Sequence, residues 1–223
     1  MFEDELELEK KSSSVVPLLL IVGLILAIVG VAGYYIMESR RVMTNAEATD
    51  LVTATLKAQG PVMVHFHTGL VKASVDEKPR DPHYRLLEKA GIVKLGKDKN
   101  YSTPVSLTPA GEKLLAEIPG VQKEKDKDGT DKYLVPAAYK SLVAITKVTM
   151  QSPTRAVVEY TWKWDTNRVG DMFDASGELV KGFNTWDRSR LIEKYGANFY
   201  HNGPNKGTLV ALRTNNRWQL APE

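Results

Sequence analysis

The stretch VVPLLLIVGLILAIVGVAGYYIM, residues Val15–Met37, contains no charged residue. An α-helix rises 1.5 Å per residue, so roughly 20 apolar residues cross a hydrocarbon layer of about 30 Å. The stretch therefore predicts a transmembrane helix over residues 15–37. A cleavable signal peptide is the alternative, but its apolar region covers only about 7–15 residues and ends in small side chains. Because Tyr34–Met37 is bulky, we expect an uncleaved anchor that follows a polar tail, residues 1–14.

Basic residues flank both ends of this anchor. Lys10 and Lys11 precede it and Arg40 and Arg41 follow it, which is close to a tie under the positive-inside rule. A short polar start, an apolar helix and a large C-terminal part form the usual arrangement of an uncleaved signal-anchor. The sequence thus predicts a single-pass protein of the bacterial inner membrane, with a cytoplasmic N-terminus and an extracytoplasmic C-terminal part.

Three small residues lie on one side of the predicted anchor. Gly23, Ala27 and Gly30 are spaced by four and three residues, so they share a helix face. Small side chains allow helices to approach closely in lipid. Glycine and alanine are also common in membrane helices in general. With that alternative open, the face is our candidate for packing against a partner helix or a second copy of the chain.

The composition limits the remaining part of the chain. Without the anchor and its tail about 185 residues remain, which suits one domain of moderate size or two small ones. The chain has no cysteine, which excludes disulfides and thiolate metal sites. The net charge is +3, and acidic and basic residues are interspersed, so we expect a solvated mixed surface.

The stretch YRLLEKAGIVKLGKDKNYSTPVSLTPAGEKLLAEI, residues Tyr84–Ile118, has a recognisable order of elements. It predicts a helix over Pro82–Ala90, two short strands joined by the turn GKDKN, and a further helix that starts at Thr108-Pro109. This order resembles the second half of a bacterial winged helix. The resemblance implies a winged-helix-like domain over residues 44–119.

The winged-helix resemblance also implies candidate DNA contacts. In winged helices that bind DNA, the helix before the wing enters the major groove. The matching positions that would contact nucleic acid here are Arg85, Lys89, Lys94, Lys97 and Lys99. This is a small set of phosphate contacts. We therefore keep a membrane-tethered DNA-binding regulator as an alternative and expect no nucleic acid partner in the main interpretation.

Residues 120–132 include the charged stretch KEKDKDGTDK, Lys123–Lys132. Alternating charges without apolar residues predict a solvated linker or the exposed tip of a hairpin. Asp126, Asp128 and Asp131 are weakly similar to a calcium loop, but glycine is not at the sixth position. We expect no metal there.

Residues 133–223 predict an antiparallel sheet. Apolar and polar residues alternate over Ala156–Trp164, as in a strand with one buried and one wet face. A helix is predicted over Trp186–Tyr195, and Thr208–Arg213 with Arg217–Leu220 predict a closing hairpin. The predicted fold class is α+β: one transmembrane helix, a small winged-helix-like α/β segment, and a C-terminal antiparallel sheet with a packed helix.

Several polar residues are candidates for chemistry. His65 and His67 share a strand face and would need a third metal ligand; the distant candidates are His83 and His201. The alternative is a set of histidines bonded to the backbone. The carboxylates that could perform acid–base chemistry, or else form turns, are Asp165, Asp171 and Asp174. Phosphate-loop, dinucleotide-binding, serine-nucleophile and zinc-protease motifs are absent from the sequence.

The last candidates are aromatic. Four tryptophans either belong to an ordinary aromatic core or offer an interaction or ligand surface: Trp162, Trp164, Trp186 and Trp218. We therefore predict a non-enzymatic, membrane-anchored accessory subunit without cofactor or metal, which docks on a protein partner or membrane complex. A ligand-binding or catalytic sheet domain is a further alternative.

Overall fold

The computed structural model describes residues 15–39, 41–73 and 78–222. Its first helix, α1, spans Val15–Ser39, two residues beyond the predicted end. Within the described ranges α1 is the one helix long and apolar enough to cross a membrane, and its apolar stretch Leu18–Met37 is 0% buried. These are the properties of a membrane anchor or a signal sequence. The predicted tail, residues 1–14, and Arg40 lie outside the described residues.

The remaining elements form an α+β arrangement. The helices are α2 Asn45–Ala58, α3 Pro82–Lys89, α4 Pro109–Glu117, α5 Arg168–Met172, α6 Glu178–Lys181 and α7 Thr185–Tyr195, followed by a 3₁₀ turn at Gly196–Phe199. The strands are β1 Val62–Lys72, β2 Val93–Leu95, β3 Ser102–Leu107, β4 Gln122–Lys125, β5 Asp131–Ser152, β6 Arg155–Thr166, β7 Asn205–Thr214 and β8 Arg217–Leu220.

All eight strands belong to one antiparallel sheet with the order β2-β3-β1-β5-β6-β7-β8, and β4 pairs with β5 outside this path. The 22-residue β5 is its longest member. The first part of β5 pairs with β1 up to Ala138, and from Ala138 onward β5 pairs with β6. Three register shifts interrupt the β5–β6 ladder. Such bulges bend a strand and increase its twist.

Local sequence sets where the helices begin. Thr44 caps α2 in a capping box with Glu47. Thr108 caps α4 by accepting the Gly111 N–H at 2.9 Å, and Pro109 occupies the first turn. Asn184 caps α7 by accepting the Asp187 N–H at 2.8 Å. The helix start predicted at Thr108-Pro109 is thus confirmed.

A large core lies between the sheet and the helices α3 to α7. Buried side chains of β1, α3 and the β2–β3 hairpin, such as Phe66, Tyr84 and Leu87, pack there with Phe173, Leu191 and neighbouring residues from the α5–α7 region. The core therefore joins segments that lie about a hundred residues apart in the chain.

A small core lies between α2 and the far half of the sheet. Ala48, Val52 and Leu56 form the buried stripe of α2. They share this core with buried residues of β6 and β7, among them Val158 and Leu209. The alternation predicted for Ala156–Trp164 is confirmed by the burial pattern of β6.

The division between the cores does not coincide with the predicted boundary at residues 120–132. α2 packs with C-terminal strands, whereas α5 to α7 pack with the N-terminal half. In the charged stretch, Gln122–Lys125 pairs with β5 as one arm of a hairpin. This agrees with the hairpin tip that the charged stretch predicts as one alternative. The sequence does not show the division between the cores, because the partners of α2 lie in strands about a hundred or more residues further along the chain. Whether residues 44–119 and 133–223 act as separate domains stays a prediction.

Strand β1 is longer than its sequence suggests. β1 continues through the polar residues after Phe66 and ends at Lys72, because Gly69–Lys72 pairs with Ser102–Val105 of β3. The predicted hairpin of β2 and β3 is present. One helix, α3, separates β1 from β2. The winged-helix resemblance itself stays a prediction.

Candidate interaction surface

The small-residue face of α1 is open in this structure. A Cβ built on Gly23 or Gly30 would meet no atom within 4 Å, and Ala27 is exposed. Neither core contains a residue of α1. The face is therefore accessible to another helix, and its role in packing stays a prediction.

The four candidate tryptophans have different environments. Trp164 is buried, and Trp162 and Trp218 pack partly buried against the sheet. Trp162 and Trp164 meet edge to face, with ring centroids 5.0 Å apart, and Lys140 lies over both rings. Trp186 alone among the four is 73% exposed. The structure thus places three of the candidates in the protein interior or its margin and one on the surface.

Trp186 lies in the first turn of α7, next in the chain to Asp187, which lines a groove between α3 and the α6–α7 connection. The groove has a volume of about 370 Å³ and is lined by Arg85, Glu88, Lys89, Gly182, Phe183, Asn184 and Asp187. Phe183 forms its aromatic wall. The Lys89 Nζ lies 4.4 Å from the Phe183 ring centroid, which is within the range of a cation–π interaction.

The basic residues predicted on α3 already have partners in this groove. Arg85 forms an ion pair with the buried Asp187, which also accepts a 2.8 Å hydrogen bond from Asn184. The Lys89 Nζ donates to the Gly182 carbonyl at 3.1 Å. The α6–α7 segment therefore covers the side of α3 from which these two residues project.

The hairpin of β2 and β3 has an ordered tip. Arg80 donates to the Asp98 carboxylate through Nε and Nη2, and this bonding lowers the pKa of Asp98. Tyr101 has φ +65° and is 96% exposed. The side chains of Lys94, Lys97 and Lys99 are exposed around it. The tip thus presents one aromatic ring among exposed lysines.

The histidines make structural contacts. His83 is buried; its Nδ1 accepts from the Tyr195 hydroxyl and its Nε2 donates to the His65 carbonyl at 2.8 Å. Burial, reinforced by the charge of Lys194, lowers the pKa of His83 to about 3. The ring is therefore neutral at physiological pH. The ring nitrogens of His201 lie 3.1 and 3.0 Å from two backbone carbonyl oxygens.

The remaining candidate for metal binding is the pair of strand histidines. The His67 Nε2 lies 3.5 Å from a carboxylate oxygen of Asp126. Among the residues that the structure describes, no group of three or more histidine, aspartate or glutamate side chains is arranged to hold a metal ion. The structure thus does not bring a third ligand to this pair.

The candidate carboxylates stabilise turns. Asp171 accepts from the Thr166 hydroxyl at 2.6 Å. Partial burial acts to raise the pKa of Asp174, but hydrogen bonds from Ser176 and His201 outweigh it, so this pKa is lowered. Asp165 is exposed. Asp171 and Asp174 are therefore engaged in local hydrogen bonds at turns, whereas Asp165 lies on β6 and faces solvent.

Two further concave surfaces join residues that are distant in sequence. A cleft of about 320 Å³ lies between α3 and α7 and is crossed by the ion pair of Asp81 and Arg190. A more apolar groove of about 480 Å³ lies between α4 and the α5–α6 segment and includes Leu114, Met172 and Leu179. No local sequence signal indicates either surface because each is made by long-range packing.

Comparison of the chain with protein-family models, curated proteins and solved structures gave no significant match. The functional argument therefore depends on the geometry and chemistry described above.

Proposed function

We propose that this protein is a non-enzymatic accessory subunit that α1 holds in the bacterial inner membrane and that docks on a protein partner there. The observation that carries the proposal is the complete exposure of the apolar stretch Leu18–Met37, which is 0% buried. Apolar surface of this extent in water is strongly unfavourable. Lipid and a partner helix would cover it.

The groove beside Trp186 supports a protein partner. Tryptophan and arginine are enriched among the residues that dominate binding energy at interfaces. Here the exposed Trp186 stands next in the chain to Asp187, which lines the groove and pairs with Arg85. An exposed aromatic next in the chain to a groove whose Arg85 and Lys89 already have partners is suited to an apolar side chain of another protein.

The polar side chains support a non-enzymatic role. The most strongly perturbed histidine, His83, is neutral and uses both ring nitrogens in hydrogen bonds. The aspartates after β6 stabilise turns. Proton transfer needs a titratable group that is accessible to a substrate and has a pKa near the working pH. The buried His83, with a pKa of about 3, does not meet this requirement, and neither does Asp174, whose pKa is lowered.

The helix face can be tested with two matched substitutions in the full-length chain. We expect Ala27→Leu to abolish co-purification of the partner from membranes in mild detergent, because the added side chain prevents close approach of helices. Ala32→Leu makes the same change on the opposite side of α1 and should leave the complex intact. Equal recovery with both variants would contradict packing through this face.

The groove can be tested in the same preparation. Trp186→Ala should reduce recovery of the partner roughly tenfold or more, as expected for a central interface residue. Tyr101→Ala removes another exposed aromatic on the β2–β3 hairpin and should have no effect. A full-length chain that stays monomeric in native-like membranes, with no stoichiometric partner, would count against the whole proposal.

The alternatives have less support. For a DNA-binding regulator, α3 would have to enter the major groove, yet its Arg85 and Lys89 contact the α6–α7 segment. DNA binding would also require the domain to be cytoplasmic, which a topology reporter fused after residue 223 can decide. A catalytic or ligand-binding sheet would draw on Trp162, Asp165 and His201, but the His201 ring packs against Trp164 and both of its nitrogens lie within hydrogen-bond distance of backbone carbonyls.

A further inference from the structure

The end of the sheet nearest to α1 is formed by two turns. The Met43 N–H lies 3.5 Å from the sulfur of Met150, close to the turn between β5 and β6. α1 ends at Ser39, four residues before Met43. Even a fully extended chain spans no more than about 14 Å over that interval. This end of the sheet therefore lies close to the end of α1.

The turn between β7 and β8 lies beside the β5–β6 turn. The Arg213 N–H donates to the Thr154 carbonyl at 2.8 Å, and Arg155 is opposite Leu212 in the ladder. The two turns therefore form a single surface. We call this surface the basic tip and define it by Arg41, Arg155, Arg213 and Arg217.

Acidic residues are absent from the two turns and the strand ends that form the tip. Residues 148–158 and 205–222 contain no aspartate or glutamate. Arg155 and Arg217 are exposed, and Arg41 pairs with Glu47 at 2.9 Å. The hairpin at the opposite end of β5 instead alternates its charges over Lys123–Lys132. Unbalanced positive charge is thus concentrated at the end close to α1.

We propose that the basic tip binds the phosphate groups of anionic lipids in the membrane that holds α1. The inference rests on the proposed function, because it requires α1 to be a retained anchor. An anionic lipid surface attracts basic residues within about one Debye length, roughly 8–10 Å near physiological salt. Arginine suits this partner because its planar guanidinium binds phosphate through two hydrogen bonds.

Tethering makes a small cluster sufficient for binding. A few arginines bind a membrane weakly when the protein is free in solution, but a short link to an anchor raises the effective concentration into the millimolar range. The link here consists of residues 40–43. Binding at the tip fixes the sheet with its β5–β6 and β7–β8 turns towards the bilayer. The Trp186 groove then keeps a defined orientation to the membrane.

The test uses the full-length chain in lipid nanodiscs. The chain has no cysteine, so Ser152→Cys introduces a single site for an environment-sensitive dye in the β5–β6 turn. Nanodiscs of phosphatidylcholine are compared with discs in which about one third of the lipid is phosphatidylglycerol. A quencher is placed on the lipid headgroups.

We expect stronger quenching of the dye in the anionic discs than in the neutral discs. The difference should vanish at about 0.5 M salt, where the Debye length is about 4 Å. Arg155→Glu with Arg217→Glu should weaken the contact roughly 30-fold, from about five- to sixfold per arginine. Lys97→Glu with Lys99→Glu makes the same charge change on the β2–β3 hairpin and should leave quenching unchanged.

The possible outcomes separate the two proposals. Equal quenching in neutral and anionic discs, or no effect of the arginine reversals, would overturn lipid binding and leave the anchor intact. A chain that does not incorporate into either disc would overturn the anchor, and the lipid inference with it.

Discussion

A single buried histidine makes stability depend on pH. In the unfolded chain the pKa of His83 is near 6.5, whereas in the folded protein it is about 3. Between these values only the unfolded state binds the proton. The contribution to stability is therefore complete above about pH 6.5 and falls as the pH drops towards 3, by up to about 1.4 kcal/mol per pH unit.

This dependence can be measured by urea unfolding of residues 41–223, since neither core contains a residue of α1. His83→Gln retains an amide that can donate to the His65 carbonyl but has no titratable ring. We expect the difference in unfolding free energy between wild type and variant to shrink as the pH falls from 6 to 4. His65→Gln replaces an exposed histidine whose charge is the smallest of the contributions to the pKa of His83, so it should nearly keep the wild-type slope of unfolding free energy against pH. If the unfolding free energies of wild type and His83→Gln changed in parallel with pH, the pH dependence could not be assigned to His83.

For single residues, the sequence predicts helix caps better than it predicts contacts between side chains that are distant in the chain. The roles of Thr44, Thr108 and Asn184 depend on groups three residues away, which sequence shows directly. The side-chain partners of His83 and Arg85 are Tyr195 and Asp187 of α7, about a hundred residues further along the chain. Only the fold brings such groups together, so these functions of the side chains could not be predicted.

Among the elements, two short helices contact strands or turns through glycine. A Cβ on Gly111 of α4 would lie 2.1 Å from the Ile92 carbonyl oxygen, and one on Gly170 of α5 would lie 2.2 Å from that of Ala137. Both neighbours are backbone atoms, which cannot rotate away. Close approach of the backbones therefore requires glycine at both positions.

The sign of the effect of Gly111→Ala distinguishes packing from helix propensity. Propensity alone would stabilise a helix by about 0.5–1 kcal/mol on replacing glycine with alanine. We expect destabilisation of more than about 2 kcal/mol instead, because α4 must move away from Ile92. Lys113→Ala on the exposed side of the same helix should change the unfolding free energy by less than about 0.5 kcal/mol. A gain in stability for Gly111→Ala would show that the contact is not tight.

The second half of β5 is an edge among the described strands, since β1 leaves it at Ala138. Its bulges place Val143, Thr146 and Gln151 as extra residues opposite a regular β6. Irregular edges resist pairing with another strand. Apart from Pro136 near its start, the sequence Asp131–Ser152 contains neither proline nor glycine, and register shifts leave no local signal.

For the whole molecule, two cores that share β5 predict unequal local stability. The small core has one helix over one face of the sheet, and Lys147, Glu159 and Thr208 leave the opposite face wet. The large core is enclosed by α3 to α7. Regions with fewer buried apolar contacts open at lower free energy. We therefore expect amides of α2 and β7 to exchange through a lower-energy opening than those of β1 and β3.

Two matched substitutions can test this in hydrogen-exchange experiments. Val158→Ala in the small core should cost about 2 kcal/mol and accelerate exchange mainly in α2 and β7. Val93→Ala in the large core should have its main effect on β1 and β3. Both residues are almost fully buried, so the chemical change is the same. Uniform acceleration by each variant would mean that the two cores open as one unit.

The length of β5 sets the distance between the two ends of the molecule. Its 22 residues correspond to a contour of about 70 Å at about 3.3 Å per residue, which separates the turns beside α1 from the charged hairpin at the far end. Side chains alternate across a strand with a period of two. Two residues inserted in a regular part of β5 would therefore lengthen it by about 7 Å and keep both cores on their present faces, whereas a single inserted residue would have to form a further bulge. In its regular parts, the length of β5 therefore changes in steps of two residues.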